Sequence, residues 1–289
     1  MAAALLNGLL LGGMYALMSI GLTLQYGVAR IMNLSYGEGL VMAAFAAWWA
    51  TTHAGISPLW VSLLVVPAGF AVSVWLYRVG LHPLVRRARD RSELEVSSLL
   101  ATFGFMFVFQ GMMLLIFGGA YHSYTFMAWP VSLAGEIVAA NRLLALGLAV
   151  AACIALYLGL TRSRWGVALR AVAADPSLAP LVGVDGPRVS ALVFGVGGAL
   201  VALAGVLVSL FQTFNANSGI VFTAKALVIV IMGGVGHVQG CLVAALLLGL
   251  SESLVATYVD PGLAMAVTFA LFTVVLLWRP TGLFGGRTR

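Results

Sequence analysis

The sequence predicts an all-α integral membrane protein, a polytopic bundle of about eight transmembrane helices plus a short or broken segment. Three observations predict it. The 289-residue chain is 62% hydrophobic and 8% charged, with a mean hydropathy of +1.07. A soluble domain carries roughly 25% charge, so this chain lacks the polar groups to solvate its own surface. Its apolar residues gather in continuous runs of membrane-crossing length, without the strict alternation of a membrane barrel. Backbone N–H and C=O groups in lipid must be satisfied internally, which makes the runs helices.

In chain order the expected spans are 4–26, 34–52, 59–77, 96–118, 142–160, 189–211, a broken stretch 223–257, and 262–278. Basic residues orient them. Arg78, Arg86, Arg87, Arg89 and Arg91 crowd one connection, Arg162, Arg164, Arg170 and Arg188 a second, and Arg279, Arg287 and Arg289 end the chain. The positive-inside rule assigns all three clusters to the cytosol. The connection 119–141, with Tyr121, Tyr124, Trp129 and Pro130 and little charge, belongs outside, as does the Asn- and Ser-rich 212–222. An outer N-terminus and a cytosolic C-terminus require an odd number of crossings. The stretch 223–257 therefore supplies two passes, broken near Gly233–Gly240, and its first piece is short for a crossing, a half-span or a re-entrant one. No basic residue precedes the first run, so no cleavable signal peptide is expected. Residues 1–289 read as one transmembrane domain without an internal repeat, carrying a cytosolic loop at about 161–188.

The pattern excludes several functions. The net charge of +6 sits beside spans and lacks interleaved aromatics, so it reports orientation rather than nucleic-acid binding. Cys153 and Cys241 lie in apolar runs, and no disulfide is expected. His53, His82, His122 and His237 have no metal-ligand spacing, and no Ser/His/Asp or Cys/His arrangement stands out. The lone lysine, Lys225, follows Ala224, so no Gly-Lys-Ser/Thr phosphate loop exists and the chain is not expected to hydrolyse ATP by that route. Gly195–Gly198 lies mid-span and is no nucleotide loop. Trp48, Trp49, Trp60, Trp75 and Trp129 fall near span ends, as an interfacial belt does. Gly8-x-x-x-Gly12 and Gly236-x-x-x-Gly240-x-x-x-Ala244 place small residues on one helix face and permit close packing, within this subunit or against another.

Two polar segments carry the chemistry. In the cytosolic loop, Asp175-Pro176 reads as a helix start, with Asp as cap and Pro at the first position. Leu178, Leu181 and Val182 follow at helical spacing, and Gly183 supplies a left-handed stop. A second short helix over Gly166 to Ala174 precedes it, and a plain connector needs neither. Such a knob suits a cleft on a soluble partner. The other segment is Asn33-Leu-Ser-Tyr-Gly-Glu38, which with Lys225 and Glu252 puts polar groups in or next to the membrane. Intramembrane charges are costly and usually face protein or a water-filled path. Glu38 is either a helix cap at the cytosolic mouth or part of the pathway's inner end. Lys225 either snorkels or pairs with a carboxylate. The glycine break at Gly233, Gly234 and Gly236 leaves backbone carbonyls available to a cavity.

Gly166, Arg170-Ala171-Val172, Ala174-Asp175-Pro176, Ala179 and Gly183 resemble the cytoplasmic loop of ABC importer permeases, and more narrowly the branched-chain amino acid permease family. Asn7-Gly8 through Gly12-Gly13-Met-Tyr-Ala-Leu resembles that family's opening helix, and Asn33–Glu38 its Asn-Phe-Ala-His-Gly-Glu segment. Gly233–Gly240 and Arg279-Pro-Thr-Gly-Leu-Phe-Gly285 resemble its C-terminal signatures. The resemblance covers nearly the whole chain, and the size is that of the smaller of the system's two permeases. Tyr36 stands where the family often has His, and His237 where it often has Ser.

The resemblance implies a permease subunit of an ABC importer in the bacterial inner membrane. Its partners would be a homologous second permease or else a second copy of this chain, two ATP-binding subunits and an external solute-binding protein, surrounded by membrane lipid. ATP and Mg would be used by the ATPase partners, with no cofactor or metal on this chain. Gly166, Arg170, Ala174, Asp175, Pro176, Leu178, Leu181 and Gly183 would couple to the ATPases. Asn33, Ser35, Tyr36, Glu38, Lys225, Gly233, Gly234 and Gly236 are the candidates for the translocation path. The solute would be a branched-chain or related amino acid, or, as in relatives, urea, an amide or an aromatic or organic acid. A gradient-driven carrier predicts an internal repeat, which the sequence lacks, and a channel predicts a filter ring from identical subunits.

Overall fold

The computed structural model describes residues 1–87, 90–133, 136–176 and 178–285. Arg89, Arg287 and Arg289 of the basic clusters lie outside the described residues. The chain is helical as expected: α1 (Ala2–Ala29), α2 (Tyr36–Ala54), α3 (Pro58–Leu76), α4 (His82–Arg87), α5 (Arg91–Phe117), α6 (Ala140–Arg162), α7 (Arg164–Ala174), α8 (Gly186–Ser209), α9 (Ser218–Gly233), α10 (Val238–Tyr258) and α11 (Ala264–Trp278). A π-helical turn, Tyr77–Leu81, joins α3 to α4, and short 3-10 turns precede α8 and α11. Among the described residues, seven helical stretches are long and apolar enough to cross a membrane. The 19-residue α2 and the 16-residue α9 accompany them. The stretch 223–257 is broken as expected, after Gly233, although α9 starts earlier, at Ser218. A hairpin of β1 (Pro130–Leu133) and β2 (Glu136–Ala139), unforeseen in the sequence, fills part of the 119–141 connection.

Burial separates the bundle into a core and a rim. α1 and α8 are mostly buried, whereas α3, α5, α6 and α11 turn apolar side chains outward. Outward leucines and phenylalanines cost nothing where the surrounding solvent is lipid. Association of such helices then depends on close backbone approach rather than on a hydrophobic drive. α1 and α10 show this most clearly. Gly8 lies on the backbone of Gly249 and Leu250, Gly12 on that of Ala245 and Leu246, and Gly249 against Gly12 and the Gly8 carbonyl. The Gly8-x-x-x-Gly12 stripe therefore packs within this subunit. Similar small-residue contacts bring α3 to α8 at Gly69 and Gly198, and α2 to α8 at Leu40 and Gly205.

The two ends differ. At the end carrying Phe117, Phe45 stacks on Phe117 with ring centroids 4.3 Å apart and meets Phe214 edge-on at 5.1 Å. There the backbones of His122 and Phe214 exchange hydrogen bonds of 2.8 and 3.1 Å. At the basic end, Leu24, Val28, Leu169, Val172, Ala179, Val189 and Val193 form a separate apolar cluster that seats α7 on α1 and α8.

The α1–α10 contact makes a sharp prediction. A side chain at Gly249 enters the backbone of α1, whereas Gly104 on α5 faces open space. Gly249→Leu is expected to cut the yield of folded, monodisperse protein several-fold, and Gly104→Leu to leave it unchanged, as read by size-exclusion profiles in detergent.

Candidate functional site

α1 stops at Ala29 because Arg30 takes a left-handed conformation, φ 58° and ψ 28°. The chain then runs without regular structure to Tyr36, where α2 begins. This linker does not lie at the membrane edge. The hydroxyl of Thr102 donates to the Met32 carbonyl at 3.1 Å, and that of Tyr36 to the Gly197 carbonyl at 3.1 Å. Thr102 and Gly197 each lie eleven residues from the basic ends of α5 and α8, about 16 Å of helical rise. The linker therefore lies about three helical turns inside the basic ends of these helices, deeper in the bundle than the mouth position expected for Asn33–Glu38.

Irregular backbone at that depth is tolerated only where protein satisfies it. The sequence supplies the partners locally and from four other helices. Asn33 Oδ1 accepts from the Ser35 N–H at 3.1 Å and the Ser35 hydroxyl at 2.7 Å, an Asx turn that starts α2. The Asn33 amide donates to Gln25 Oε1 of α1 at 3.3 Å. Thr223 of α9 clips both sides of the turn: its hydroxyl accepts the Gly37 N–H at 2.9 Å and donates to the Leu34 carbonyl at 3.2 Å. Gly37 has no room for a side chain, because the Gly219 carbonyl and Thr223 occupy that space. Ile31 is fully buried among Tyr77, Leu81, Ala191 and Phe194.

The linker opens onto a cavity of about 200 Å³ between α2, α3, α5 and α8. Asn33, Ser35, Tyr36 and Ser73 form its polar end, and Met42, Val65, Val72, Phe109 and Val201 its apolar walls. Three of the expected path residues thus meet at one site. Glu38 does not line it. Its carboxylate is fully buried against Gly219 at the first turn of α9, and neither oxygen has a hydrogen-bond partner among the described residues. The N-terminal end of α9 provides a partial positive charge there.

Lys225 sits in a different place again. Its ammonium donates to Glu252 Oε2 at 2.9 Å and to the Tyr15 hydroxyl at 2.7 Å, while Tyr15 donates to the same carboxylate oxygen at 2.6 Å. Thr268 donates to Glu252 Oε1 at 2.5 Å. The group ties α1, α9, α10 and α11 together, and Lys225 and Glu252 are only 9% and 3% exposed. Lys225 therefore pairs with a carboxylate rather than snorkelling. The glycines at the α9–α10 break also have a job other than the one expected. The Met232 and Gly233 carbonyls accept from the N–H groups of Leu283 and Phe284, at 2.8 and 3.2 Å, so the closing segment covers them. Gly234, at φ 100°, packs on Gly282 and Gly285. Gly236, at φ 78°, lines a second cavity of about 320 Å³ with Thr23, Gly27, Arg30, Arg170 and Ala174 at the basic end.

The loop residues divide by role. The Ser163 hydroxyl caps α7 by accepting the Gly166 N–H at 3.1 Å. A side chain at Gly166 would strike the Leu160 carbonyl, which also accepts from the Arg170 guanidinium, so both residues hold the corner between α6 and α7. Ala174 ends α7 and Asp175 caps it. The element after Pro176 is a single 3-10 turn, Ala179–Val182, shorter than the expected helix; Gly183 ends it in the left-handed region, φ 76°, as expected. Leu178, Leu181 and Val182 are 56, 80 and 73% exposed. His237 is exposed at the start of α10, away from the mid-membrane cavity. Both cysteines are free, and the described residues hold no cluster of His, Cys, Asp or Glu able to bind a metal.

Sequence reasoning missed Gln25, Arg30, Thr102 and Thr223. Gln25, Thr102 and Thr223 are polar residues inside apolar runs, the signal that could have found them. Arg30 was hidden because its conformation is not legible from residue type.

The family described as the branched-chain amino acid transport system permease component matches residues 4–276. The high-affinity branched-chain amino acid transport system permease protein LivH of Escherichia coli is 30% identical over 305 residues, covering 96% of this chain and 94% of that protein. LivH of Salmonella typhimurium is 31% identical over 297 residues, with the same coverage. BraD of Pseudomonas aeruginosa, likewise titled a high-affinity branched-chain amino acid permease, is 29% identical over 296 residues, covering 97% of this chain and 94% of BraD. No solved structure matches the chain significantly.

Removing one member of a buried ion pair strands the other and costs about 3–5 kcal/mol, while replacing both by apolar groups is far milder. Lys225→Met and Glu252→Gln are each expected to lower the unfolding temperature of the purified protein sharply. The double variant Lys225→Met/Glu252→Met is expected to recover most of the loss; a double variant as unstable as the singles would contradict the pairing.

Proposed function

Because the chain belongs to the branched-chain amino acid transport permease family, we propose that it is the smaller permease subunit of an ABC importer for branched-chain or related amino acids. The observation that carries this reading is the cavity at the mid-membrane linker. Its walls are apolar, and Asn33, Ser35, Tyr36 and Ser73 supply its polar groups. An apolar side chain attached to a polar head matches that division. The cavity holds no charged group among its lining residues, which suits brief passage rather than tight capture, since tight binding midway slows release. Selection then falls to an external binding protein.

The rest of the assembly follows from the family reading: this chain has no phosphate-binding loop of its own, and two partner ATPases supply hydrolysis of ATP with Mg. The exposed Leu178, Leu181 and Val182 form the apolar edge that enters an ATPase cleft. Gly166, Arg170, Ala174, Asp175, Pro176 and Gly183 hold that edge in shape. A homologous second permease completes the pore. Asn33, Ser35 and Tyr36 line the route in this conformation. Glu38, seated at the start of α9, stands one turn from the linker and joins the route when α2 and α9 separate. Lys225, Gly233, Gly234 and Gly236 act on the route indirectly, by holding α9 in place. The basic clusters set the protein in the inner membrane with the C-terminus in the cytosol and the N-terminus outside.

Two experiments test the reading. Leu181→Asp puts a charge into a docking edge, and co-purification of the ATPase subunits with the tagged chain is expected to fall roughly ten-fold or more; undiminished co-purification would remove the loop from the interface. Glu38→Gln is expected to abolish solute uptake by proteoliposomes while the complex assembles normally, and wild-type uptake of leucine by that variant would take Glu38 out of the mechanism.

A further inference from the structure

Arg30 has a conformation that its residue type does not favour. Among the described residues, only Arg30 and Met127 combine a side chain with positive φ. Glycine is the ordinary occupant of a left-handed helix stop, and a strained residue persists where its side chain has a task. The task is visible here. The Arg30 guanidinium donates from Nη2 to the Ala173 carbonyl at 3.2 Å, in the last turn of α7. A cation there is favoured by the partial negative charge of the helix end. Arg30 Nε is buried without a hydrogen-bond partner among the described residues. The 320 Å³ cavity lies around this contact, bounded by α1, α7 and the 235–236 turn, and leaves α7 space to move toward α1. Directly after Arg30 the chain enters the linker, which carries Asn33, Ser35 and Tyr36 to the mid-membrane cavity. Ile31, next in the chain, is fully buried between the π-helical turn and α8, so the linker is packed tightly where it leaves Arg30.

We propose that Arg30 is a positioning residue that passes movement of the α7 loop to the linker, and through it to the start of α2 and the mid-membrane cavity. The proposal rests on the reading that ATPases dock on the α7 loop. It assigns the connection between that loop and the route to one side chain.

The test uses the full complex in proteoliposomes, with solute-binding protein and leucine, and reads leucine transported per ATP hydrolysed. Arg30→Gly and Arg30→Asn both accept a left-handed backbone and both lose the link to Ala173. Each is expected to assemble with the ATPases and to lower the ratio roughly ten-fold, the order expected for a lost hydrogen bond to a charged group. Arg30→Lys, which keeps the cation, is expected to recover part of it. A wild-type ratio in either Arg30→Gly or Arg30→Asn would overturn the proposal and leave Arg30 as a helix stop. If one of the two fails to assemble, the ratio in the other decides; if both fail, the ratio in Arg30→Met, which keeps the length of the stem but loses the donor, decides in the same way, with Gly104→Ala as the control. Leu181→Asp in the same assay separates the two readings. ATPases retained and transport intact in Leu181→Asp would defeat loop docking itself, whereas loss there with normal coupling in the Arg30 variants would defeat only the role of Arg30.

Discussion

An unwound stretch of backbone inside the membrane must have every polar group satisfied by protein, and the architecture is organised around meeting that requirement for residues 30–35. A helix satisfies its own amides; six residues without helical bonds do not. The Met32 carbonyl needs Thr102 of α5, the Leu34 carbonyl needs Thr223 of α9, and Asn33 needs Gln25 of α1. Tyr36 then fastens the start of α2 to α8 through the Gly197 carbonyl. The packing glycines follow from the same demand. Gly21 and Gly197 make room for the Tyr36 phenol and the Gln25 amide, and Gly37 and Gly219 allow α2 and α9 to touch. Leaving one such amide or carbonyl unmade in a low-dielectric interior costs a few kcal/mol, so these contacts are coupled to the fold as a whole.

The linker has a second consequence. Because α2 and α9 both begin near the middle of the bundle, their first turns meet beside Glu38, Gly219 and Thr223. A mid-membrane meeting of helix starts concentrates partial positive charge where a buried carboxylate already sits. It also leaves the cavity of Asn33, Ser35 and Tyr36 on the side facing α3 and α5. A permeation route needs a place where helices separate at low cost, and helices that end inside the membrane provide one. The Tyr15–Lys225–Glu252–Thr268 group opposes such separation on the other side of α9, holding that helix to α1, α10 and α11. α9 is thus tied by an ion pair on one face, whereas on the face toward α2 its side-chain hydrogen bonds come from Thr223 beside the close packing of Gly37 on Gly219.

The basic end leaves apolar side chains uncovered after its own packing is complete. α7 is held to α6 by the Leu160 carbonyl and to α1 by Arg30, and its buried face packs on Leu24, Val28 and Val189. With those contacts made, Leu178, Leu181 and Val182 remain exposed in the loop that the positive-inside rule assigns to water rather than lipid. Three adjacent apolar side chains in water are costly in a way that the same side chains on α5 or α11 are not. The same residue types therefore have opposite meanings at the two locations.

The sequence by itself determined the class of the protein, most of its spans and their break after Gly233, because hydropathy over a bilayer's thickness is a local property that each segment expresses alone. It also marked Asn33, Ser35, Tyr36, Lys225, Glu38 and the 166–183 loop, because polar residues in an apolar chain are conspicuous. Family membership was legible for the same reason, from short motifs in order. Only the tertiary structure decided what those residues do to one another. That Thr102 and Thr223 serve the linker, that Lys225 meets Glu252 across 27 positions, and that Arg30 reaches α7 depend on which helices adjoin. The depth of Asn33–Glu38 likewise required knowing that the chain turns back after Arg30, and the covering of the Gly233 carbonyl required the fold of the last seven described residues. Contacts between distant helices are set by small-residue packing and the demand for backbone partners, and neither leaves a periodic trace in the chain.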